Sequence, residues 1–171
     1  MNTIEEISFY SPCPSLSDAG LTKIIGKNAP ETIRIQGCNV RGEFLATLPP
    51  NTLKELVAGA CEIDDANFAA IASQSKLQLL QVWKNPITNK GIASLVSSRQ
   101  LRVLDLFGTA TDDDGLDVLR RLPDLEVLVV PNDGSFGPEA VSQLNAASPS
   151  LVVEVPPRGH DPSKTIRWVR P

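Results

Sequence analysis

The chain has 171 residues, 42% of them hydrophobic and 21% charged, a balance that suits a folded soluble domain and excludes a disordered one. Its formal charge of −4 is unevenly spread: residues 156–171 hold Arg158, Lys164, Arg167 and Arg170 against Asp161 alone, a surplus of three, so residues 1–155 carry −7. An acidic body lacks the clustered cations that displace counterions from a phosphate backbone, so nucleic acid is not an expected partner.

The opening residues Met1-Asn2-Thr3-Ile4-Glu5-Glu6 lack the basic and apolar regions of a secretory signal, and no apolar run has the length of a membrane span. The expected compartment is the cytoplasm, with no membrane partner. Cys13, Cys38 and Cys61 are odd in number and 25 and 23 residues apart, with no C-x-x-C pair. That spacing suits a repeating unit better than a zinc site or a disulfide framework.

A repeat is what the chain shows. The segments Leu53-Lys54-Glu55-Leu56, Leu77-Gln78-Leu79-Leu80, Leu101-Arg102-Val103-Leu104 and Leu125-Glu126-Val127-Leu128 begin 24 residues apart, three times in succession. Backwards, the frame reaches Pro30-Glu31-Thr32-Ile33-Arg34-Ile35 and, with a two-residue insertion, Ile4-Glu5-Glu6-Ile7-Ser8-Phe9. Forwards it reaches Ser150-Leu151-Val152-Val153-Glu154-Val155, making seven predicted strands.

Within each unit the strand is followed, at the ninth position, by a small or polar turn residue: Cys38, Cys61, Asn85, Thr109 or Asp133. A side chain there can satisfy backbone groups freed where the chain turns a buried corner. A helix start comes next, as in Ser17-Asp18-Ala19-Gly20-Leu21, Asp64-Asp65-Ala66-Asn67-Phe68, Thr88-Asn89-Lys90-Gly91-Ile92 and Asp112-Asp113-Asp114-Gly115-Leu116. Ser17, Asp64, Thr88 and Asp112 are the expected N-caps. Helical spacing then predicts burial of Ile92, Leu95 and Val96, and of Leu116, Leu119 and Leu122. Two units break the pattern, at Val40-Arg41-Gly42-Glu43-Phe44 and around Gly134 and Gly137, and these loops are expected to stand out from the rest.

The phrase Leu101-Arg-Val-Leu-Asp-Leu106, with Thr109 and Asp112-Asp-Asp-Gly-Leu116, resembles a leucine-rich repeat, and the likeness runs over nearly the whole chain. It is most similar to the cysteine-containing class found in F-box receptors and to a bacterial class with the same T-D-x-G-L phrase. With the first strand beginning by about Ile4, no F-box is expected before the repeats, nor a ubiquitin-ligase receptor role of that type. The resemblance implies an α/β fold: a right-handed solenoid with about seven parallel strands on a concave face and helices on a convex one. Residues 1–155 would form the repeat domain and residues 156–171 a C-terminal cap or tail.

Side chains alternate along a strand, so the third, fifth and seventh positions of each unit should share the concave face. There Leu79, Trp83, Val103, Phe107, Val127 and Val129 form an apolar patch, flanked by Tyr10, Arg34, Gln81 and Asp105. An exposed patch of this kind marks an interaction site, with Trp and Tyr as typical anchors. The alternative is self-coverage, with Ile166, Trp168 and Val169 of the tail folding back over it. Thr165-Ile166-Arg167-Trp168-Val169-Arg170 also alternates like a strand and would serve as an edge cap or as a basic arm.

Chemistry finds less support. Asp112-Asp113-Asp114 has the oxygen donors a hard cation takes, but its place at a helix start is explained by capping and the helix dipole. His160 beside Asp161 has the makings of a base without an accompanying nucleophile motif, and Cys13, between Pro12 and Pro14, is the one cysteine outside the turn position. No Gly-rich phosphate loop is present, and no cofactor or metal is expected. The expected function is noncatalytic protein–protein interaction, a scaffold gripping another protein on its concave face. A bacterial effector, an antitoxin-like inhibitor and a self-associating structural scaffold are the alternatives, together with an enzyme using Cys13 or His160.

Overall fold

A computed structural model describes residues 4–9, 12–26 and 28–164. Seven strands, β1 (Glu6–Phe9), β2 (Thr32–Gln36), β3 (Glu55–Gly59), β4 (Leu79–Gln81), β5 (Val103–Asp105), β6 (Val127–Val129) and β7 (Val152–Glu154), form one open sheet. They lie in chain order and every neighbouring pair is parallel. The pairing register is the sequence period itself, since Glu55, Leu79, Val103 and Val127 are successive partners across four strands. Each of the seven predicted segments therefore supplies a strand.

Parallel neighbours require a crossover, and every crossover here carries a short helix. The α-helical ones are α1 (Asp18–Ile25), α2 (Asp65–Phe68), α3 (Asn89–Ile92), α4 (Leu116–Leu119) and α5 (Pro138–Ala147). Tight 3-10 turns at Glu43–Thr47, Ala69–Ser73 and Ala93–Ser97 complete or replace them. Fourth-position strand residues Ile33, Leu56, Leu80, Leu104 and Leu128 pack with Leu21, Phe44, Ile71, Leu95 and Leu144 from the crossovers in one apolar core. At about 1.5–3 kcal/mol for each large aliphatic side chain removed from water, this layer dominates the stability of the sheet.

The caps agree with expectation. Ser17, Asp64, Thr88 and Asp112 accept from the backbone N–H of Gly20, Asn67, Lys90 and Asp114 respectively. Ile92, Leu95, Leu119 and Leu122 are buried, but Val96 is exposed. The stretch Ala93–Ser97 is a 3-10 helix with three residues per turn, which aligns Ile92 with Leu95 and turns Val96 away. The side chain of Leu116 lies outside the described residues.

The unit at 40–44 does not stand out from the others. Val40, Phe44 and Leu45 are buried, and the Asp18 carboxylate accepts from the N–H groups of Arg41, Gly42 and Phe44 at 2.7–3.1 Å. That carboxylate supplies the cap this segment's own sequence lacks, while Gly42 takes the left-handed backbone (φ 99°) that the turn needs. In the other irregular unit Phe136 is buried and Gly134 is exposed, so only the tip of that loop projects. Among the described residues no helix is long and apolar enough to cross a membrane.

Candidate functional site

The third, fifth and seventh positions share the face of the sheet opposite the helices, where they make two apolar groups separate from the main core. Val57, Leu79 and Val103 form one with Val127 beside them. Trp83, Phe107 and Val129 form the other. Tyr10 lies outside the described residues.

The Trp83 indole lies across the neighbouring strand rather than standing up from the sheet. Gly59 precedes Trp83 in the seventh-position row, and a Cβ on Gly59 would fall 2.0 Å from the indole Cε2 and Cζ2. The missing side chain of one strand is thus the seat of the next strand's tryptophan. Just past this row the chain turns through left-handed backbone at Gly37, Ala60, Lys84 and Gly108, with φ between 49° and 65°. The N–H groups of Gly37, Ala60 and Lys84 donate to the carbonyls of Gly59, Trp83 and Phe107 at 2.7–3.0 Å, which extends the sheet around the corner.

The ninth-position residues close that corner from inside. Asn85 is buried and its Nδ2 donates to the carbonyls of Ala58, Val82 and Trp83, while its Oδ1 accepts from the N–H of Ile63. The Cys38 and Cys61 thiols donate to the carbonyls of Gln36 and Gly59. Desolvation raises both thiols above their usual pKa, Cys61 to about 11. They are protonated structural groups at neutral pH, and Cys13 beside them is half-buried.

Polar groups on the open face are held as tightly. The Arg34 guanidinium pairs with Glu6 at 2.8 Å and with Glu55 on the opposite neighbouring strand, bridging β1, β2 and β3. Asp105 accepts from the N–H of Phe107 at 3.0 Å and from Gln81 Nε2 at 3.5 Å.

The apolar patch was expected to face solvent, and it does not. Leu79, Gln81, Trp83, Val103, Asp105, Phe107 and Val129 each retain 7% exposure or less; Arg34 is equally buried and Val127 half-buried. Residues 156–164 lie against the Trp83 and Phe107 row. The His160 ring meets Phe107 edge-on at 5.2 Å, and Pro162 and Ser163 wall a cleft with Trp83, Val57, Arg34 and Gln36. Self-coverage had been assigned to Ile166, Trp168 and Val169, which lie outside the described residues together with the strand-like run 165–170. Sequence reading missed the covering role of 156–164, although its three prolines and its place after the last strand were visible.

The cleft beneath Pro162 has a volume of about 10 Å3, room for about one water and far below the several hundred Å3 of a small-molecule site. A wider hollow beside Arg102, Asp124, Glu126 and Ser150 is open to solvent and walled by the Arg102–Glu126 ion pair. Among the described residues no group of three or more His, Cys, Asp or Glu is arranged to hold a metal. Asp113 is engaged with the N–H of Gly137 and Asp112 with those of its own turn and with Asn89. The Asp161 carboxylate accepts from the Oγ and N–H of Ser163, which hold its pKa below the usual value, while His160 packs on Phe107. A scan against protein-family models and a search of curated proteins each find no match for this chain.

Proposed function

We propose that this chain is a leucine-rich-repeat solenoid acting as a noncatalytic protein-interaction module, with the face opposite the crossover helices as the concave surface that grips another protein. The observation that carries the reading is the concentration of Trp83, Phe107 and Val129 with Arg34, Gln81 and Asp105 on the sheet face opposite the crossover helices. Aromatic anchors beside oriented polar groups are the composition of interaction hot spots. Seven in-register strands give such a face an extended, preorganised backbone, and the small cleft on it leaves little room for a metabolite.

Site-specific photo-crosslinking in source-cell lysate tests the reading without disturbing the core. A photoreactive residue at Thr32 or Val127, both partly exposed on the proposed face, should trap a discrete partner; one at Ala46 or Ser142, exposed on crossovers, should not. Crosslinks confined to the crossover positions, or the same products from all four, would overturn it.

A further inference from the structure

Residues 156–164 do not continue the sheet they cover. The last ladder bond near them runs from the Val130 N–H to the Glu154 carbonyl. Beyond it, the segment's described backbone bonds are internal turns, His160 N–H to Pro157 carbonyl and Lys164 N–H to Asp161 carbonyl. A side chain makes the crossing hydrogen bond, Asn132 Nδ2 to the Pro157 carbonyl at 3.2 Å. Side-chain packing adds to it, with His160 on Phe107, Pro162 buried in the wall it shares with Trp83, and Pro156 buried as well. The segment is thus two successive turns, the first passing through Gly159 (φ 83°) and the second a 3-10 turn over Pro162–Lys164, and they set the His160 ring and Pro162 against the aromatic row without joining the ladder.

We propose that residues 156–164 are a displaceable built-in occupant of this face, and that the partner segment the face accepts has the same chemistry: turn-forming, proline-bearing and basic. The proposal rests on the interaction reading above and adds the partner's chemistry and its regulation. Charge supports the basic requirement: Arg158 and Lys164 against Asp161, which pairs with Lys164 at 3.5 Å, leave the segment a surplus of one positive charge, while the preceding 155 residues carry −7. The covering segment follows directly after β7, so its tether holds it at an effective concentration on the order of millimolar, and a partner must outcompete it or meet the chain when it is open. Apparent affinity for any such partner is lowered by the fraction of chains in the covered state.

The test titrates a fluorescein-labelled synthetic peptide of residues 156–164 into the full-length chain, read by anisotropy. The double variant His160→Ala, Pro162→Asp should open the face and bind the peptide roughly tenfold or more tighter than the native chain does. A peptide carrying Pro162→Asp should bind neither. Equal binding by native and opened chains, or none by either, would overturn the proposal. Should the double variant lose its cooperative unfolding transition, hydrogen exchange on the native chain decides instead. The amides of 156–164 should then exchange through a low-energy opening well before those of β4 and β5, whereas joint exchange would show the segment to be an integral part of the fold. Peptide failure with face-specific crosslinking intact rejects the occupant alone. Peptide binding without any face-specific partner rejects the interaction reading alone.

Discussion

Ala60 and Lys84 hold left-handed backbone that a Cβ disfavours by about 1–2 kcal/mol, in a row whose other members are Gly37 and Gly108. Their N–H bonds to the carbonyls of Trp83 and Phe107 offset that strain. Ala60→Gly keeps the bond and removes the Cβ, so it should stabilise the chain by up to about 1 kcal/mol in urea denaturation, less the added entropy of the unfolded glycine. The neighbouring position behaves oppositely. Gly59→Ala puts a methyl into the Trp83 ring and should destabilise by about 1–3 kcal/mol, with a shift in tryptophan emission as the indole is displaced. Burial gives Cys61 a distinct signature: its folded pKa of about 11 lies above the 9.0 of the unfolded thiol, so its stability term is full below pH 9 and is lost as pH rises through 11. Two pKa units correspond to about 2–3 kcal/mol, so native chain should lose that much more stability than Cys61→Ala between pH 8.5 and 11.

Between elements, the second residue of each helix start does a different job from the cap before it. Asp65 accepts from the N–H and Oγ1 of Thr88, Asn89 exchanges two hydrogen bonds with Asp112, and Asp113 accepts from the N–H of Gly137. Each joins one crossover to the next, 23 or 24 residues on. The glycine of the repeated phrase makes room for this bridge: a Cβ on Gly91 would lie 2.4 Å from Asp65 Oδ1, and one on Gly115 2.9 Å from Asn89 Oδ1. Asp65→Ala should cost about 2 kcal/mol through lost charge-assisted hydrogen bonds, and Gly91→Ala about 1–3 kcal/mol through the clash. Because the carboxylate is what the new methyl strikes, the double variant should cost clearly less than the two together. An additive double-mutant cycle in denaturant would refute the pairing of Asp65 with Gly91. The capping role of Asp64 and Asp112 was legible because it is local, whereas the bridging role of Asp65 and Asn89 depends on the distance between units, which no single unit specifies. Val96 was misplaced for a related reason: helical spacing at 3.6 residues per turn does not describe a stretch that winds at three.

At the scale of the molecule, the 24-residue spacing of Leu53, Leu77, Leu101 and Leu125 carried strand number, order and register into view, because parallel pairing repeats the sequence period. Alternation likewise sorted Leu79, Trp83, Val103 and Phe107 onto one face. The covering of Trp83 and Phe107 was not legible, since it involves residues 156–164 meeting positions that precede them by about 50 to 80 residues. The same linear order has a mechanical consequence. Each interior strand hydrogen-bonds to its two sequence neighbours, and β1 pairs with β2 alone, so a lesion should be felt according to its place along the array. Leu104→Ala removes a fully buried side chain from a strand paired on both sides and should lower global stability by about 2–5 kcal/mol in one shifted transition. Ile7→Ala removes a comparable contact from the edge strand, where the loss detaches β1 before it reaches β3. Hydrogen exchange followed by mass spectrometry should then show β1 amides exchanging early in Ile7→Ala while β4 and β5 keep native protection. In Leu104→Ala, all of β3 to β6 should lose protection together. Uniform loss across the sheet in both variants would mean that the strands unfold as one indivisible unit rather than as a chain of neighbour contacts.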